Sequence, residues 1–287
     1  MANRFDIYQQ IMQLDPKEDC QEIVFLEGSY EYPWLIKKSL EFALFRTYGV
    51  PNTSQILDQS GQFRRHGQRR YDDTSLLIAE ITENGYDSER GLGAIRIMNR
   101  LHGKYDIANE EMLYVLSTFI YEPIRWNQKY GWRKPSHHEN LASYYFWAEV
   151  GKRMNIKNIP DSYEAFEQYN VDYERDNFAF DPANRRIADA TIEVMQSWYP
   201  SFVRPMVREV VYALVDEPLA KAFGFPKGNA VLGGCVHIGL KIAAKILRYM
   251  PPRREPFRYT QAPNRSYPQG YDLEKLGPPT HHNPAES

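Results

Sequence analysis

The chain has 287 residues, with 35 basic and 37 acidic side chains and a formal net charge of −2. That length supports one large core or two small ones, and the near-neutral balance implies no nucleic-acid partner. Its two cysteines, Cys20 and Cys235, form no CxxC pair, which excludes a disulfide scaffold and a structural zinc site and fits a reducing compartment. The N-terminus has no apolar signal core, and no uninterrupted apolar run reaches bilayer length. A soluble, cytoplasmic protein without a transmembrane segment is expected, with peripheral attachment left open.

Helical signals dominate the chain. Tyr32-Pro33-Trp34 opens a helix with Pro near its first turn, running through Leu35, Leu40 and Leu44 to about Gly49. A short helix over 54–59 ends at Gly61. Asp72 and Asp73 are expected to begin the next, since acidic side chains suit a helix N-terminus, and Thr74, Leu77, Ile78 and Ile81 share one of its faces. It ends at Asn84-Gly85. Residues 89–102 form a further helix, with Ile95, Met98 and His102 on one face. Asn109 reads as an N-cap before the run Met112 to Ile120, which Pro123 is expected to stop. Helices follow near 139–154, 161–175, 184–198, 201–215 and 229–249. Short runs of Val, Ile and Tyr leave room for a minor strand. Residues 251–287 are rich in Pro and read as an extended tail over the surface, frayed at His281-His282. The expected fold class is therefore all-α: an N-terminal helical lead-in over 1–29, one globular helical domain over 30–250, and the tail over 251–287.

Aromatic content is high, at 21 Tyr, 14 Phe and 5 Trp. These suit either a Tyr-rich helical core or the lining of an apolar ligand site. Among the seven histidines, His137 and His138 lie in a polar, Pro-flanked stretch, and His237 reads as a buried core residue. His66 sits among Arg64, Arg65, Arg69 and Arg70, either a solvated basic loop or an anion clamp. His102 differs. It emerges from the apolar face that carries Met98 and Ile95, as a neutral imidazole would to meet a metal. No Glu-x-x-His, His-Glu-x-x-His, Gly-x-Ser-x-Gly, Walker A or Gly-x-Gly-x-x-Gly motif occurs. Phe225 and Gly228 ahead of Cys235 imitate a thiolate-haem loop, but the spacing is wrong and Cys235 falls within a helix.

Ordered motifs carry more weight than any single residue. They are Arg69-Arg70-Tyr71-Asp72-Asp73-Thr74, then Ala94-Ile95-Arg96-Ile97-Met98-Asn99-Arg100-Leu101-His102, then Met112 to Phe119 running into Glu122-Pro123-Ile124-Arg125-Trp126. Tyr130-Gly131-Trp132-Arg133 and Tyr267-Pro268-Gln269-Gly270-Tyr271 complete the set. In these the chain resembles the MpaB oxygenase family, relatives of the latex-clearing rubber oxygenases, over roughly residues 30 to 277. The resemblance implies a helical domain over 30–250 enclosing haem b, with His102 as the axial iron ligand and Arg69 and Met98 beside the cofactor. It implies Arg70, Asp73 and Thr74 as catalytic residues on the opposite face, with Arg70 stabilising charge or holding a propionate, Thr74 hydrogen-bonding the oxygen and Asp73 relaying a proton or acting as a base. It also implies dioxygen as co-substrate and a hydrophobic, unsaturated substrate of isoprenoid or lipid type. Cleavage of a carbon–carbon double bond is the chemistry of the rubber branch. That branch has a lysine where this chain has Asp73, and an arginine where it has Asp106, so rubber is not the expected substrate. The fungal branch carries a membrane anchor ahead of this domain, so its location is not carried over. A monomer or homodimer is expected. Two other readings stay open at this point: a non-catalytic haem or lipid carrier, and a helical interaction protein that binds anions through Arg64 to Arg70.

Overall fold

Helix caps and apolar faces build the molecule from its first residues onward. The computed structural model describes residues 3–278, so His281 and His282 lie outside the described residues. Helices α1 (Asp6–Ile11) and α2 (Cys20–Leu26) lead into a π turn at Glu27–Glu31, followed by α3 (Pro33–Thr47) and α4 (Pro51–Ser60). Next come α5 (Gln62–Asn84), α6 (Glu89–His102), α7 (Asn109–Tyr130), α8 (His137–Arg153) and α9 (Tyr163–Asn177). The rest are α10 (Pro182–Ser197), α11 (Arg204–Leu214), α12 (Glu217–Phe223) and α13 (Ala230–Tyr249). Among the described residues there is no strand, so the all-α expectation holds and the minor strands do not form.

The largest core joins α2, α5, α6, α7 and α8 through residues such as Ile23, Leu77, Ile95, Ile120 and Phe146. A second gathers Phe45, Ile187, Val211 and Phe223 from α3, α10, α11 and α12. Buried Arg46 on α3 ties this second region to α9: it donates to Glu174 Oε1 at 2.8 Å and to Asp216 Oδ2, at the start of α12, at 2.9 Å. Glu122 on α7 lies 3.4 Å away. Removing one partner of such a pair strands a buried charge, at a cost of about 3–5 kcal/mol.

Three helix boundaries differ from the sequence expectation. Helix α5 begins at Gln62, ten residues ahead of Asp72, and bends at His66 (φ −140°, ψ 37°). Asp72 and Asp73 are therefore buried mid-helix residues, placed by the partners they bind and not by the helix dipole. Helix α7 runs through Pro123 to Tyr130. Proline removes only one intrahelical donor, and the turns beyond it are held by Trp126 and Tyr130 packing with Tyr32, Phe42 and Trp132. Asn109 opens α7 as its first helical residue and not as its cap; its side chain instead exchanges hydrogen bonds with the backbone of Lys157. Helix α13 also corrects a composition argument. By length and composition it is apolar enough to cross a membrane, because Lys241 and Lys245 interrupt its apolar run without cancelling it.

Beyond α13 the chain crosses back over α5 without regular structure, apart from short 3-10 turns at Tyr259–Gln261 and Leu273–Lys275. Carboxylates of α5 receive it. Glu83 accepts from Tyr259 N–H at 2.5 Å and from Thr260 Oγ1 at 2.6 Å. Asp72 Oδ2 accepts from Ser266 N–H at 3.0 Å and from its hydroxyl at 2.6 Å. Tyr267 donates to Asp73 and Tyr271 to Glu80. Removing the Tyr267 hydroxyl leaves a buried Asp73 oxygen without its donor, a loss of about 1–3 kcal/mol. Tyr267→Phe is therefore expected to lower the melting temperature and to speed amide exchange across residues 259–277, with exchange in α8 unchanged; equal exchange in the tail would refute the contact's role.

A second buried polar group lies under the π turn. Arg133 donates to Glu31 Oε2 at 2.9 Å and to Glu139 at 2.9 and 2.6 Å. Glu27 is buried beside them, and burial, reinforced by the charge of Glu139, pushes its carboxyl well above the usual carboxylate range. A carboxyl with a raised pKa in the folded state stabilises fully below its unfolded value, and that contribution is lost as pH rises through the folded value. Glu27→Gln, which needs no proton, is therefore expected to gain in melting temperature relative to the wild type as pH is raised from about 5 to about 8. A pH-independent difference between the two melting curves would contradict this.

Candidate active site

One cavity of about 450 Å³ opens between α3, α4, α5, α6 and α7, within the range of pockets that hold small organic ligands. Leu40, Leu44, Leu77, Met112, Val115 and Phe119 contribute to an apolar wall. Polar groups from several helices interrupt this wall, and the site residues expected from the sequence come from two of them, α5 and α6.

Helix α6 delivers His102 as its last residue. Its start is fixed by Ser88, whose side chain accepts from Gly91 N–H at 2.9 Å. Gly91 is required there, because a Cβ would sit 2.0 Å from the carbonyl oxygen of Gly85. Gly85 itself has φ +85°, a conformation favouring glycine. These contacts set where α6 begins, and its face of Ile95, Met98 and His102 then turns inward. Burial, followed by the positive charge of Arg70, holds the His102 imidazole at a pKa of about 4, so it is neutral at physiological pH. Its Nδ1 is buried and has no hydrogen-bond partner among the described residues. An unpaired buried polar atom costs about 1–3 kcal/mol, and Glu111 Oε2 on the same wall is another such atom.

Helix α5 supplies Arg70, Asp73 and Thr74, all of which line the cavity. Thr74 Oγ1 donates to the Arg70 carbonyl at 3.0 Å and accepts from the Arg70 guanidinium, so the two side chains lock each other. The guanidinium also lies 5.8 Å from the centre of the Phe63 ring. Asp73 is held differently. Tyr267 donates to one carboxylate oxygen, and Gly277 N–H donates to the other at 3.1 Å. Burial nevertheless pushes its carboxyl above the ordinary value.

Met98 lines the cavity beside His102, while Arg69 does not: its Nε lies 3.9 Å from Asp73 Oδ2 and its guanidinium 5.7 Å from the Tyr267 ring. The basic stretch does not converge on an anion. Arg65 donates to Ser60 O at 2.9 Å, Arg64 lies 3.6 Å from Asp58, and His66 is exposed at the bend of α5. His237 is part-exposed, not a buried core residue, and lies 2.6 Å from Tyr130 Oη. Residues absent from the sequence reading include Glu27, Gly28 and Trp147 on the wall, and Gly277, whose φ of +117° carries the tail past Leu101 to the cavity. Only the matched Tyr267-to-Tyr271 stretch pointed toward the tail.

Among the described residues no group of three or more His, Cys, Asp or Glu side chains is arranged to hold a metal ion by itself. Of the expected site residues the cavity presents one neutral imidazole, a cation and a hydroxyl, beside further polar groups such as Lys37, Glu41 and Glu111. The imidazole would suit an iron already held by a macrocycle, which needs few ligands from the protein.

Comparison with known proteins gives the family. Residues 46–233 match the family model described as "ER-bound oxygenase mpaB/B'/Rubber oxygenase, catalytic domain". The chain is 30% identical over 242 residues to the ER-bound oxygenase mpaB' of Penicillium brevicompactum, covering 78% of this chain and 57% of that protein. It is 30% identical to the ER-bound oxygenase mpaB of Penicillium roqueforti (strain FM164), covering 71% of this chain and 75% of the relative, and 32% identical to mpaB of Penicillium brevicompactum over 58% and 47%. The chain thus spans about half to three quarters of the length of these relatives. All three are described as ER-bound, which overturns the cytoplasmic location expected from the absence of an apolar leader. The motifs, the helical fold and the match over residues 46–233 lead to one assignment: the chain belongs to the MpaB/rubber oxygenase catalytic-domain family.

Proposed function

We infer that the protein is a haem b-dependent oxygenase that uses dioxygen on a hydrophobic, unsaturated substrate of isoprenoid or lipid type. The observation that carries this reading is His102: a neutral imidazole with an unpaired buried nitrogen on the wall of a 450 Å³ apolar cavity. Haem b, when bound, supplies the activation of dioxygen, which no side chain can perform.

The protein's own part is binding, orientation and charge. His102 would hold the iron, and its low pKa keeps the imidazole available without loss of a proton. Arg70 places a fixed cation at the cavity, where it can pair with an anionic substituent of the cofactor or stabilise negative charge developing in the reaction. Thr74 keeps that cation in place and holds a hydroxyl proton on Oγ1, where it donates to the Arg70 carbonyl. Asp73 has both oxygens engaged by the tail, which suits a positioning role: it holds Gly277 against the cavity. The apolar wall excludes water and selects for hydrocarbon.

The visible spectrum tests the first step. Protein produced with added iron, or mixed with haemin, should show a Soret band; His102→Ala should lose it and His237→Ala keep it. Colourless wild-type protein that fails to take up haemin would overturn the reading. The second step is turnover. With an isoprenoid substrate, oxygen consumption per bound haem should fall by about tenfold to a hundredfold in Arg70→Leu. Haem-loaded wild type with no oxygen uptake across a panel of unsaturated lipids would instead identify a carrier.

A further inference from the structure

Helix α13 is apolar on two opposite faces. One face points inward: Gly233 packs at the Ala213 side chain, His237 meets Tyr130 and Leu240 joins the aromatic cluster around Trp132, with Ala244 buried one turn on. The other face reads Val231, Cys235, Ile238, Ile242 and Ile246, at steps of three and four residues along a single line. It is open to solvent: Val231 is 77% exposed, Ile238 60%, Ile242 54% and Ile246 56%. A helix with one packed face ordinarily turns charge outward. Here the outward face is β-branched hydrocarbon, and the charge is confined to Lys241, Lys245 and Arg248 along its flank.

The charge along this stretch of chain is one-sided. From Pro218 to Arg254 the chain carries Lys221, Lys227, Lys241, Lys245, Arg248, Arg253 and Arg254 and no acidic residue at all, although the whole chain has a net charge of −2. An apolar strip flanked by long basic side chains matches the boundary between acyl chains and anionic headgroups, with the lysine stems lying along the helix and their ammonium groups reaching the phosphates. The inward contacts to α7 and α11 hold the helix against the protein, an arrangement suited to lying along a bilayer surface.

We propose that the outward face of α13 is a membrane-docking surface that seats the protein on an anionic lipid bilayer through Ile238, Ile242 and Ile246, with Lys241 and Lys245 binding the headgroups. This does not rest on the haem reading, and its test needs no cofactor. Cys235 lies on the exposed face while Cys20 is buried, so a polarity-sensitive fluorophore can be attached selectively at Cys235. The full chain is mixed with vesicles of phosphatidylcholine alone, or with roughly one third phosphatidylserine. Cosedimentation and a blue shift of the probe are expected with the anionic vesicles and weaken as salt is raised. Combined Ile238→Ser, Ile242→Ser and Ile246→Ser should weaken binding by at least about tenfold with the melting temperature unchanged, since all three side chains are exposed. Lys241→Glu with Lys245→Glu should remove the preference for phosphatidylserine. Equal binding by the triple variant, no binding to either vesicle, or a solution dimer that the serine substitutions dissociate would each overturn the proposal.

Discussion

The arrangement around the cavity depends on acidic side chains taken out of water on one helix. Asp72, Asp73 and Glu80 are buried on α5, and Glu83 follows one turn later, partly buried. Carboxylates on an inner helix are tolerated only where donors meet them, and here most of the donors come from the tail: hydroxyls of Thr260, Ser266, Tyr267 and Tyr271 and backbone N–H groups of Tyr259, Ser266 and Gly277. Arg90 adds a guanidinium to Glu80 at 2.8 Å. The tail is thus the counterpart that lets α5 be buried, and through Gly277 it also forms part of the wall that holds His102 and Arg70.

The electrostatics of that wall are asymmetric. Arg70 brings its charge to an apolar space and is steadied by Thr74, while His102 is kept neutral partly by that same charge. A cation and a neutral imidazole facing one cavity present two different affinities, one for anionic groups and one for a soft electrophilic centre. Proton exchange between them is not needed for either role.

Much of this was readable in order along the chain, and the reasons for the rest are physical. His102 was visible because helical periodicity aligned it with Ile95 and Met98, and that alignment survives in α6. Its unpaired nitrogen was not, since it depends on what α5 and α7 bring to the same space. The start of α5 was misplaced because Asp72 and Asp73 carry the signature of a helix N-terminus, whereas their partners lie 194 residues away. Pro123 signals a stop by local propensity, and the aromatic packing of Trp126 and Tyr130 outweighs it. Arg69 and Arg70 are neighbours in the same motif, yet consecutive helical positions point apart, and only Arg70 reaches the cavity.

The sequence distance between α5 and its tail has a consequence for how the molecule is made. Chains emerge from the ribosome from the N-terminus and can begin to fold as they emerge. Helices α5 and α6, with His102, are complete long before residues 259–277 exist, and contacts of such separation form late. Until then the acidic stripe of α5 lacks the donors that the tail supplies in the folded protein. The side of the cavity beside Leu101 is thus completed by the last part of the chain to be made, with Gly277 packed against it.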